Sequence, residues 1–141
     1  MSDTPTDEVK LNDLMFQALD HAVASIADSG GPLIPFSIID TEEEEKKLTR
    51  FMAENLEEGV SQMHSNIEGA KEGIVRYALA WDGFVTIEGK KWDALLVEAG
   101  DKVSEHAVLL CQKYKKKGFL RKGIVPIGNP GLLEKPPSRI Q

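Results

Sequence analysis

Apolar positions along the chain change their spacing once, near Gly73. In the N-terminal part Leu11, Leu14, Met15, Ala18, Ala22 and Ile26 recur three or four apart, which is one face of a helix, until Gly30 and Gly31 stop it. Pro5 suits the first position of that helix, with Thr4 as its cap. PLIPFSII follows, and Pro35 within it lacks a ladder donor, so Leu33 to Ile39 reads as an edge strand or extended segment. Thr41 and Glu44 have the spacing of a capping box, and Glu42, Glu43, Glu44 and Glu45 suit the positive end of a helix dipole. The stripe Leu48, Phe51, Met52, Leu56, Val60, Met63, Ile67 and Ala70 then predicts one long helix, or two meeting at Gly59.

Beyond Gly73 the pattern is that of strands. Ile74 to Trp81 is rich in β-forming residues, Asp82-Gly83 is a two-residue hairpin signal, and Phe84 to Ile87 alternates. Gly89 with two lysines marks a second turn before a third strand, Trp92 to Glu98. The segment Val103 to Gly118 fits a helix capped by Ser104 or a buried strand; Ile124 to Ile127 offers a pairing partner, which favours a hairpin. Helices first and strands second predict an α+β domain over residues 1–127, its N-terminal helices packed on one face of a mainly antiparallel β-meander. Residues 128–141 form a turn-rich tail, expected on the surface or against a neighbouring subunit.

Composition narrows the setting. The 141 residues, 41% apolar and 28% charged, can bury a core without a disulfide or structural metal. The acidic start lacks the basic and apolar regions of a secretion signal, and no apolar run approaches the ~20 residues of a membrane helix. A lone cysteine, Cys111, among apolar neighbours fits a buried thiol in a reducing cytoplasm. The net charge of −6 hides an asymmetry: 8 basic and 21 acidic residues up to Asp101, then 9 basic and 2 acidic from Lys102 onward. The two parts can attract each other within one chain or between subunits, whereas overall acidity argues against nucleic acid as a partner.

Two stretches carry candidate chemistry. Glu88-Gly89-Lys90 downstream of Asp82 has the acid-x-lysine form of metal-assisted hydrolases and nucleases, in which carboxylates hold the ion. Asp82, Glu88, Asp93 and Glu98 are therefore the catalytic candidates. Strand alternation objects, since Asp93 and Glu98 point to opposite faces and Glu88 sits at a turn; a β-bulge would be needed to gather two of them. Glu98 shares a face with Trp92, Ala94 and Leu96, which half buries it or leaves it at the rim beside a lysine. The second stretch, Lys113 to Gly123, mixes Lys113, Lys116 and Arg121 with Tyr114 and Phe119, a pattern that can hold single-stranded nucleic acid. Its plainer reading is a solvated turn kept from edge pairing by lysines.

His21, His64 and His106 lack zinc spacing, and no phosphate-loop or nucleophile-elbow motif is present, so no cofactor or metal is assigned. The expectation that follows is a binding module, accessory or regulatory and homodimeric, rather than an enzyme. Its contact residues are Trp81, Phe84, Trp92, Lys113, Tyr114, Lys116 and Arg121.

Overall fold

Thr6 opens the first helix. In the computed structural model, which describes residues 5–118 and 123–141, α1 spans Asp7–Ile26. Thr6 Oγ1 accepts from the Val9 amide at 3.2 Å, and Asp7 and Glu8 occupy the first turn, where the dipole favours acids. The cap expected at Thr4 lies outside the described residues; the cap is Thr6, so Pro5 precedes it instead of opening the helix. The predicted apolar stripe is buried, with Leu19 added to it.

Strand β1 (Phe36–Thr41) is joined by a tight turn to β2 (Lys46–Arg50), Phe36 lying opposite Arg50 and Asp40 opposite Lys46. Two expectations are corrected here. Pro35 sits before the ladder, and β1 is an interior strand, paired with β2 on one side and β3 on the other. Thr41 caps a turn, not a helix: its Oγ1 accepts from the Glu45 amide at 3.1 Å, and Glu44 takes a φ of 62°. A threonine hydroxyl satisfies a nearby amide equally well in either setting, so the local pattern could not separate them. Helix α2 is Leu56–Gly69, capped by Asn55 Oδ1 on the Glu58 amide at 2.8 Å. Leu48 and Met52 of the predicted helical stripe therefore fall outside it and are 38% and 77% exposed. Gly59 does not kink α2; a Cβ there would lie 2.8 Å from the Phe51 carbonyl oxygen, so its role is close approach.

β3 (Ile74–Ile87) and β4 (Lys90–Asp101) form one long hairpin in unbroken register from Arg76–Asp101 to Ile87–Lys90. The turn expected at Asp82-Gly83 is absent, and the strand runs through it with Gly83 opposite Ala94. The single turn is Glu88-Gly89, at φ 51° and 81°, the primed geometry that follows strand twist. β5 (Val108–Lys116) pairs with β4, and β6 (Ile124–Pro126) pairs with the end of β5, which is the hairpin favoured from sequence. β7 (Gly131–Glu134) pairs with the start of β5. The order is β2-β1-β3-β4-β5-β6, antiparallel throughout.

The protein is thus α+β, with its helices packed on an antiparallel meander, and the two helices divide the sheet between them. Ala78, Ala80, Leu95 and Val97 pack with α1, whereas Tyr77 and Leu79, which alternate with the alanines, pack with Met63 and Ile67 of α2. The end of the tail closes this second cluster. The Ala107 amide donates to the Pro136 carbonyl, Ser138 Oγ donates to the Asp101 carbonyl, and Ile140 is buried. No helix among the described residues is long and apolar enough to cross a membrane.

Candidate functional site

Alternation along β4 turns Glu98 to the α2 side, where it is 3% exposed. Glu98 Oε2 accepts from Tyr77 Oη at 2.8 Å and from Arg139 Nε at 2.8 Å, and Oε1 accepts from Arg139 Nη2 at 3.2 Å. Tyr77 reaches it diagonally across the hairpin because its direct partner is Gly100; a Cβ there would lie 2.8 Å from the ring. Arg139 also gives its backbone amide to Tyr77 Oη at 3.1 Å and Nη1 to Glu68 Oε1 at 3.4 Å. The carboxylate expected half buried or paired with a lysine is instead fully buried and gripped in a fork by an arginine of the tail. Forked arginine–carboxylate pairs are strong and directional. Removing one member of a buried pair strands the other, at a cost of roughly 3–5 kcal/mol.

Burial first, and then the Glu98 charge, holds the Tyr77 hydroxyl protonated well above the ordinary tyrosine range. His64 of α2 completes the cluster, edge-on to Trp81 at 5.8 Å between ring centroids. Its Nε2 is buried without a hydrogen-bond partner. Burial, and next the Arg139 charge, lower its pKa, opposed by Glu98 and Glu68. The charged groups here are committed to one another, and the cluster pins the tail to β3 and β4.

Asp82 is committed in a different place. Its Oδ2 accepts from the Leu33 amide at 3.0 Å and its Oδ1 from Tyr114 Oη at 2.7 Å, which ties β3 to the chain after α1 and to β5. This long-range use explains why Asp82 does not turn the chain. Tyr114 is buried, and burial, then the Asp82 hydrogen bond, raises its pKa. It is not available to stack on a ligand. Asp93 lies opposite Tyr114 and opposite Phe84, hence on the same face as Asp82. Glu88 stands at the turn and Glu98 on the other face, so the four candidate carboxylates occupy three places. Among the described residues no group of three or more His, Cys, Asp or Glu is placed to hold a metal.

The end of the β3–β4 hairpin has a different character. β1 pairing stops at Ala80 and β5 pairing at Asp93, so the tip projects beyond its neighbours. Phe84 is 59% exposed with Lys91 Nζ 3.8 Å from its ring centroid. Trp92, half buried on the opposite face, has Lys90 and Lys113 Nζ at 4.0 and 4.5 Å. Lys115, Lys116 and Lys117 are exposed at the adjacent end of β5. Trp81 lies apart from this end, against His64, and Arg121 falls outside the described residues.

Tyr77, His64 and Arg139 escaped sequence reasoning. Tyr77 was findable, since any hairpin centred on Glu88-Gly89 sets it diagonal to Glu98. Arg139 was not, because nothing local to the tail reports where it docks. No family model, curated protein or solved structure matches the chain.

Proposed function

We propose that the protein works by binding, as a small accessory or regulatory module that self-associates as a homodimer through the end of the β3–β4 hairpin. The observation that carries this reading is a contrast in how side chains are used. Glu98 and Asp82 are consumed by intramolecular partners, while Phe84 is largely exposed under Lys91 and Trp92, packed on one side against Val85, Ala94 and Cys111, has Lys90 and Lys113 over its ring. Exposed aromatic side chains on a rigid strand pair are the kind that anchor protein interfaces, and surrounding lysines can add charge complementarity at the rim. Light scattering at micromolar concentration tests the proposal: a dimer in the wild type and a shift toward monomer in Phe84→Ala support it. A monomer that recovers no partner in a pull-down overturns it.

A metal-assisted hydrolase is the second reading, favoured only by Asp82 and Asp93 sharing a face near the same hairpin. Native-state binding of Mn²⁺ or Mg²⁺ raises the melting midpoint, and an effect lost in Asp93→Ala would place the ion there.

A further inference from the structure

The ends of the sheet carry opposite charge. At one end the β1–β2 turn presents Glu42, Glu43, Glu44 and Glu45; at the other lie the β3–β4 turn and the close of β5, with Lys90, Lys91, Lys113, Lys115, Lys116 and Lys117. Register places them apart: Thr41, beside the acidic turn, pairs with Ile74, whereas Ala80 and everything beyond it on β3 runs toward the lysines. Several charges near the acidic turn and in the core are paired within the chain. Asp40 is held by Lys46 and Arg76, Glu42 by Lys102, Glu45 by Lys47 and Glu98 by Arg139. Among the described residues Glu43 and Glu44 at one end, and those six lysines at the other, form no ion pair.

Resting on the homodimer reading above, we propose that the basic, aromatic end of the hairpin docks on the acidic β1–β2 turn of a second copy of this chain. A two-fold axis perpendicular to the strands sets two such molecules antiparallel and makes the contact twice, which closes the dimer. A base stack is disfavoured as the occupant because lysines already lie over Phe84 and Trp92, and Tyr114, the remaining described aromatic of the basic run, is buried. The ammonium groups of Lys90, Lys91 and Lys113 lie over those ring faces, and with the exposed Lys115, Lys116 and Lys117 they form a cationic surface that carboxylates can reach. Electrostatic contacts of this kind set orientation and weaken with salt.

Sedimentation velocity on the full chain tests the contact by reciprocal charge reversal. Glu43→Lys with Glu44→Lys, and separately Lys115→Glu with Lys116→Glu, are each expected to weaken self-association about tenfold or more while melting like the wild type. An equimolar mixture of the two variants restores both contacts and is expected to associate again. All four positions are exposed, so folding is spared. A dimer indifferent to both reversals, or a mixture that stays monomeric, overturns this contact but leaves the homodimer reading. A monomeric wild type that recovers no partner removes both. Tight binding of a single-stranded oligonucleotide that competes with self-association also overturns it, since the lysines would then serve a polyanion.

Discussion

Glu88 and Glu98 lie ten positions apart on one hairpin, one in its turn and one in β4, and their situations are opposed. Glu98 is buried beneath the tail, with Tyr77 and Arg139 donating to both carboxylate oxygens. Glu88 sits in the turn at φ 51°, exposed and unpaired among the described residues. What separates them is distance from the turn: near Glu98 the hairpin is flanked by β1, β5, α2 and the tail, and near Glu88 β3 and β4 pair, among the described strands, only with each other. The buried end of the hairpin uses polar chemistry to fix the fold, and at the free end the described charges form no ion pair within the chain.

Substitutions at the buried end should break this contrast hardest. Arg139→Ala is expected to cost roughly 3–5 kcal/mol in urea denaturation by stranding Glu98, with Arg139→Lys recovering only part because the fork is lost. Gly100→Ala forces a methyl against the Tyr77 ring and should cost roughly 1–3 kcal/mol. Tyr77→Phe removes a hydrogen bond to a buried charge, worth roughly 1.5–3 kcal/mol.

The pH dependence sharpens the same comparison. Tyr77 and Tyr114 have pKa values raised above the ordinary 10.0, so the native state keeps protons that the unfolded chain releases. Their contribution is complete below about pH 10 and falls as pH rises further, and Tyr77→Phe should flatten part of that alkaline limb. His64 runs the other way. Its pKa is lowered from 6.5, so its contribution is complete above about pH 6.5 and declines as pH falls, a smaller slope that His64→Gln removes. At the free end, Lys90→Ala is expected to change stability by no more than about 0.5 kcal/mol.

How much of this was legible depends on the range over which each choice is decided. The α1 stripe from Leu11 to Ile26 follows from periodicity alone and is observed, whereas periodicity put Glu98 on the face of Ala94 and Leu96 but left it half buried or at the rim; its full burial depends on Arg139. The Glu98 position was the most informative reading at the candidate site. Two turn signals, Asp82-Gly83 and Glu88-Gly89, compete within one hairpin, and the choice rests on partners far away, the Leu33 amide and the Tyr114 hydroxyl. Thr41 with its glutamates misled for the same reason. Its hydroxyl serves a backbone amide in a turn as readily as in a helix start, and the pairing of Ile38 with Leu48 decides the outcome. Arg139 meets Glu98 across 41 positions of chain, beyond any local pattern.

The central claim is that the hairpin end binds and does not hold the fold. Light scattering of the wild type and Phe84→Ala side by side at micromolar concentration, after confirming an unchanged melting midpoint, tests it most directly. The account predicts a wild-type dimer and a folded Phe84→Ala monomer; a monomeric wild type, or a folded variant that self-associates like the wild type, would contradict it.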